Sequence, residues 1–413
     1  RLRDMLGRLN LVTGTQLQQQ RETEARHRDA GDYDVDRVIP GELVTADEGG
    51  FYLVRQDYPL DHRQGAVELG LALESASRHI AFSACDPELH DFDPRATIFV
   101  DTETIGLAGG SGTVAFLVGL GYFTGDCFRL EQCFMRDYDD EGPMLEHVRK
   151  LFDTHQAVVS YNGKSFDLPL LRTRFIQHRM PFRGDAIMHL DLVHAARRFW
   201  KRRLSDCSLG NIEREILGVH RHGDVPSYLI PQMWFDYLRT RDARPLDGVF
   251  YHHRMDILSL AALTGWLSRC LDAPDGCGFE HHEDRLSVVR IHFQQKQYPA
   301  VLEHGRRFLG LEAPAHLRRE CLGMLGLAAK RLQLWEAMAE FWESALEVAP
   351  GDVEACLELA KHCEHRLRDI PRAEQFCLQA LARASADPFA AAALQQRLQR
   401  IRRKLQRGGW TGE

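Results

Sequence analysis

The chain has 413 residues, 44% of them hydrophobic, enough to bury a full core and to make two or three domains. A formal net charge of −7 excludes the global basic field of a protein that coats nucleic acid, so any such contact must come from a local patch. No apolar run is long enough to span a bilayer, the first residues lack the order of a secretion signal, and ten scattered cysteines without zinc spacing read as reduced thiols of a cytoplasmic protein.

Residues 1–30 are dense in Arg, Gln and Glu with few apolar anchors and predict a loose or helical lead-in. A small β-rich segment is expected over 31–95, where GELVTADEGGFYLVRQDYPL, Gly41 to Leu60, alternates and turns at Gly49-Gly50 like a β-hairpin. The next block, 96–271, opens on the strand ATIFV and continues through the β-pair TVAFLVGLGYF and FRLEQCFM. Helix MLEHVRKLF, strand AVVS, helix FDLPLLRTRFI, strand IMHLDL and further helices follow. Strands first, then strands alternating with helices, predict an α/β layer with a partly antiparallel sheet.

The first of these strands ends on Asp101 and Glu103. Strand side chains alternate with period two, so both carboxylates share one side while Thr102 points away. Like charges that close raise each other's pKa unless a cation sits between them, and hard oxygen ligands suit Mg²⁺ or Mn²⁺; a solvated strand end is the alternative. AGGSGT, 108–113, lacks the GK[ST] of a P-loop; Gly109 and Gly110 would let the backbone approach a nucleotide, or simply lead into a hairpin.

The turn after AVVS carries Asn162, Ser165 and Asp167. Asp167 falls in a first helical turn, where helix capping would also account for it. Asn162 fits a ligand contact or the turn itself, Phe166 a base stack or the core, and Asp191 ends the strand IMHLDL close to the expected cleft. ARRFWKRRL, 196–204, sets Arg202 and Arg203 beside Phe199 and Trp200, the cations and aromatic faces that bind a single strand; a helix that solvates its cations and buries both rings fits equally well. In the helix GVFYHHRMDILSLAAL, His252 lies on the face of Asp256.

DAPDGCGFEHHED, 272–284, predicts a linker. Paired amphipathic helices are expected over 285–413. There Leu322, Leu325, Gly326, Ala345 and Pro350, then Leu359, Ala360, Ala373 and Ala380, fall at the offsets of a helix-turn-helix repeat of about 34 residues. The pattern resembles tetratricopeptide repeats, which offer a concave surface to a protein partner, with an irregular bundle as the alternative. The terminal QRLQRIRRKLQR, 396–407, is the solvated face of a closing helix.

DTE, NGKSFD and HHRMD, in this order, resemble the DEDD superfamily of RNase H-like 3′-to-5′ exonucleases. HLDLVHAARRFW, LSDCSLGNIEREILGV and YNGKSFDLPLLRTRF are similar to its YprB-type branch, whose members often carry C-terminal tetratricopeptide repeats. The resemblance implies an α/β fold, an RNase H-like mixed sheet flanked by helices, followed by an all-α repeat domain. It implies that Asp101, Glu103, Asp167 and Asp256 hold two Mg²⁺ or Mn²⁺ ions. His252 takes the position of the residue that handles the attacking water. The histidine subgroup usually spaces that residue H-x4-D and the tyrosine subgroup Y-x3-D, whereas here His252 stands at the tyrosine spacing and Tyr251 at the histidine spacing. On a helix His252 lies about 40° from Asp256, His253 about 60° and Tyr251 about 140°, which favours His252 and leaves His253 open.

Two metal ions among four carboxylates can activate a water and stabilise a leaving 3′-oxygen, and an imidazole accepts a proton near neutral pH. The expected activity is metal-dependent hydrolysis of a single-stranded nucleic acid from its 3′ end, with Thr102, Gly109, Gly110, Asn162, Phe166, Arg202 and Arg203 as candidate strand contacts. A non-catalytic nucleic-acid-binding adaptor and a structure-specific endonuclease are the competing readings. Nothing in the residues separates DNA from RNA.

Overall fold

The computed structural model of the chain describes residues 33–46, 49–106, 112–272, 279–383 and 388–408. It divides into two compact units: residues up to 197 with 206–273, and 198–205 with residues from 274 onward.

The first unit is built on a mixed sheet of seven strands. They are β1 (Glu42–Ala46), β2 (Gly49–Pro59), β3 (Thr97–Ile105), β4 (Val114–Thr124), β5 (Cys127–Phe134), β6 (Ala157–Ser160) and β7 (Met188–Asp191). Across the sheet the order is β1-β2-β5-β4-β3-β6-β7. Pairing is antiparallel from β1 to β3 and parallel from β3 through β6 to β7. The N-terminal hairpin is therefore the edge of the main sheet rather than a segment apart, because Tyr52 to Pro59 pair with β5. Ala46 opposes Gly49, so Gly49 and Gly50 open the second strand instead of forming the turn.

Helices follow the strands: α1 (Ser77–Ala84), α2 (Glu141–Thr154), α3 (Asp167–Gln177), α4 (Leu192–Trp200), α5 (Ile230–Thr240) and the long α6 (Leu246–Asp272). Alternation along β3 decides what lies on each face. Ile98 and Val100 join a buried core with Met144 and Val148 of α2, Leu171 of α3 and Trp234 of α5. On the opposite face Asp101 meets α6, where His253 Nε2 lies 3.7 Å from its Oδ2. Gly119, directly across from Asp101 on β4, makes that approach feasible. A Cβ at Gly119 would lie 2.0 Å from Ile257 Cδ1 and 2.5 Å from His253 Cε1. The register of β3 against β4 shifts between Glu103 and Thr104, a bulge at the polar end of the strand.

The second unit is helical: α7 (His282–Gln294), α8 (Tyr298–Leu309), α9 (Ala315–Arg331), α10 (Trp335–Val348), α11 (Val353–His362), α12 (Ile370–Arg383) and α13 (Pro388–Gly408). Each packs on its successor. Leu322, Leu325, Ala345 and Leu359 sit in one core, Ala360 and Ala373 in the next, and Ala380 in a third. Helix α6 runs to Asp272 and α7 begins at His282, so the last residues of the expected linker are helical. No helix among the described residues is long and apolar enough to cross a membrane.

Candidate active site

Three segments converge at the carboxyl end of β3. Asp101 and Glu103 come from the strand itself, Asp167 from the first turn of α3, and Asp256 with His252 from α6. Burial holds Asp101 and Glu103 well above the ordinary carboxylate range, and the charges of Asp256 and Asp167 push both further in the same direction. Asp167 rises to about 6, again from burial, against the opposing hydrogen bond of Thr102.

Thr102 faces away from the acidic pair, and there its hydroxyl donates to Asp167 Oδ1 at 2.5 Å. It thus holds an acid, whatever it contributes to the strand contact expected of it. Asp191 fixes the turn that delivers Asp167: its carboxylate accepts from the backbone N–H groups of Asn162 (2.7 Å), Lys164 (3.0 Å) and Val193 (3.2 Å). Asn162 takes φ +69°, the left-handed conformation that asparagine tolerates, so its backbone serves the turn. Phe166 is 48% exposed beside Asp167 and does not fill the core.

The three candidates for the water-handling residue separate clearly. His253 is fully buried; Gln132 Nε2 donates to its Nδ1 at 3.1 Å and its Nε2 donates to the Asp101 carbonyl at 3.0 Å. Burial pushes its pKa down to about 4, which keeps it neutral and structural. Tyr251 lies beneath the Arg254 guanidinium, 5.3 Å from its ring centroid. His252 faces the acids, with Nε2 at 3.4 Å from Asp256 Oδ2 and 3.9 Å from Glu103 Oε1. Its Nδ1 lies 2.8 Å from Asp224 Oδ1, a carboxylate oxygen that only accepts, so Nδ1 donates there and Nε2, 3.3 Å from Ser227 Oγ, keeps the lone pair.

Sequence reasoning did not find Asp224, nor the arginine beside it. Arg221 donates to Asp256 Oδ1 and, through Nε and Nη2, to both oxygens of buried Glu213 at 2.7 and 2.6 Å. Glu213 sits at the start of a π-helical turn, Glu213–Leu217, and also accepts from Ser259 Oγ. LGNIEREILGV was legible as a motif, yet nothing in it marks Glu213 as the anchor of a distant guanidinium.

Other expected strand contacts are engaged by neighbours in their own unit. Phe199 and Trp200 are buried, Phe199 stacked on Phe279 with centroids 5.7 Å apart, so neither ring can receive a base. Arg203 is paired with buried Asp284 at 2.9 Å, and Arg202 reaches Glu320 at 3.1 Å while staying exposed. Both arginines belong to the helical unit, where later carboxylates claim them. Gly109 and Gly110 lie outside the described residues.

The donor set fits a hard divalent cation. Ligand atoms of Glu103, His252 and Asp256 lie within 4.8 Å of one another, and Asp101 and Asp167 add charge that Arg221 offsets only in part.

A family profile described as the RNase_H superfamily matches residues 98–268, the stretch that supplies all these groups. The uncharacterized protein YprB of Bacillus subtilis (strain 168) is 30% identical over 349 residues, covering 82% of this chain and 82% of YprB. The mixed seven-stranded sheet with flanking helices is the RNase H-like fold that the resemblance implies, and that superfamily points to a nuclease. The chain therefore belongs to the family of YprB and carries, over residues 98–268, a domain of the RNase H superfamily.

Proposed function

We propose that the chain is a divalent-metal-dependent 3′-to-5′ exonuclease acting on single-stranded nucleic acid in the cytoplasm, with its helical unit a tetratricopeptide-like scaffold for a protein partner. The observation that carries the reading is the convergence of Asp101, Glu103, Asp167 and Asp256 with His252 from three separate segments. Crowded, partly buried carboxylates, of which Asp256 has the Arg221 guanidinium as partner, are a poor resting arrangement unless cations complete it.

Asp101, Glu103, Asp167 and Asp256 would hold two Mg²⁺ or Mn²⁺ ions, which when bound supply Lewis acidity at phosphorus and an activated water. His252 Nε2 accepts the proton of that water, and Asp224 steadies the imidazolium through Nδ1–H. Thr102 and Asp191 keep Asp167 in place while the charge at the site changes. Phe166, exposed at the start of α3, would offer its ring to a terminal base.

Incubating end-labelled single strands of DNA and of RNA with Mg²⁺ or Mn²⁺ tests the reading. Mononucleotides released from the 3′ end are expected, and Asp101→Ala should release none. A ladder of internal cuts would indicate an endonuclease, and strands bound intact without any need for metal would indicate an adaptor.

A further inference from the structure

Beside the candidate active site lies a cavity of about 390 Å³, lined by Tyr58, residues 62–65, the turn at 218–220 and the flank of α6. Tyr58, His62, Arg63, His220 and Arg254 line it and among the described residues no carboxylate does, although Asp61 stands next to His62 and the chain as a whole is acidic. A larger cavity of about 720 Å³ contains His252 and Asp256, and the two share Val219 and His220 as a common wall. A chain-like ligand that leaves the reacting groups past His220 enters the basic cavity next.

The cavity is built rather than incidental. Gln64 is buried, and its amide donates to Ser259 Oγ at 2.8 Å and to the Met255 carbonyl at 3.3 Å, tying the wall to α6. Gly65, at φ +63°, lies so near the Leu217 carbonyl that a Cβ would come within 2.2 Å of its oxygen, and Ala66 N–H donates to that same oxygen at 2.8 Å. Tyr58 and His62 meet edge to face, centroids 4.7 Å apart. Arg254 stacks over Tyr251 and reaches Gln56 Oε1 at 3.5 Å, and among the described residues no carboxylate pairs with it. Arg63 pairs with exposed Glu68, at 2.9 Å.

Aromatic faces for bases and cations for phosphates, held on a wall that Val219 and His220 share with the cavity of His252 and Asp256, match an extended single strand better than a compact metabolite. We propose that this cavity is a second nucleotide subsite, which grips the strand away from the phosphate being cleaved. The proposal rests on the nuclease reading for its purpose, and on the cavity itself for its existence.

The test uses the full chain with a short fluorescent single strand in EDTA, so that no turnover occurs. Arg254→Ala is expected to weaken binding about tenfold. In the parent chain, a strand carrying halogenated uracils is expected to photo-cross-link to Tyr58 or His62, a readout that needs no variant to fold. Either an unchanged affinity in R254A or cross-links confined to other residues overturns the subsite. A chain that cross-links there yet hydrolyses nothing with Mg²⁺ or Mn²⁺ overturns the nuclease reading and leaves the subsite standing.

Discussion

Asp224 accepts a hydrogen bond from Nδ1 of His252 at 2.8 Å, which fixes both the tautomer and the direction in which Nε2 points. An asparagine there could present its amide N–H₂ and favour the other tautomer. Asp224→Asn should lower kcat about tenfold with KM little changed, and His252→Ala should lower it about 100-fold. Steady-state kinetics on a single strand with Mn²⁺ measure both, and a loss confined to KM would refute the positioning role.

Mutual repulsion among the four acids predicts a second behaviour. A divalent ion at about 100 times its Kd should add about 2.7 kcal/mol, a rise of several degrees in Tm. Asp101→Asn removes one of the crowded charges, so the metal-free variant should melt above the metal-free parent while losing the metal-dependent rise and the hydrolysis. Differential scanning fluorimetry with EDTA and with Mg²⁺ reads all of these changes.

Gly119 stands where β4 passes closest to α6. Gly119→Ala drives a methyl group into Ile257 and His253, displacing the helix that carries His252 and Asp256. Overpacking of this kind should cost about 2 kcal/mol and reduce activity as well, which urea titration and rate measurements would show together.

Glu131 sets a pH limit on stability. Burial alone would raise its pKa, but hydrogen bonds from His147 at 2.7 Å and Arg55 at 2.9 Å prevail and bring it down to about 2. A carboxylate lowered on folding stabilises the fold above its unfolded pKa, and that contribution disappears as pH falls through the folded value. Stability should therefore decline between about pH 5 and pH 2, and Glu131→Gln should remove about 3 kcal/mol at neutral pH and flatten the decline. Urea midpoints measured across that range check it.

Much of this architecture is legible along the chain because its signals are local. Apolar runs such as ATIFV and AVVS mark the strands, and each acid stands at the end of an element where a short motif reveals it. Pairings distant in sequence leave no such trace. The hairpin at 42–59 carries nothing to say that it joins β5, and Glu213 and Arg221 look like any surface charges until the fold buries them together. Phe199 and Trp200 show the converse, since the spacing that buries rings in a helix also suits rings offered to bases. Tyr251, His252 and His253 are neighbours on one helix, and the burial of His253 against Asp101 and Gln132 distinguishes it from His252, which faces the acids.

The join between β2 and β5 also bears on any attempt to isolate the RNase H-like domain. The similarity to the superfamily starts at residue 98, but eight residue pairs along β5 are supplied from upstream of that point. A fragment begun at 98 would leave a long row of backbone donors and acceptors bare and would lack the glutamine that braces α6 through Ser259. Such a fragment should aggregate, and the smallest well-behaved one should start ahead of Glu42.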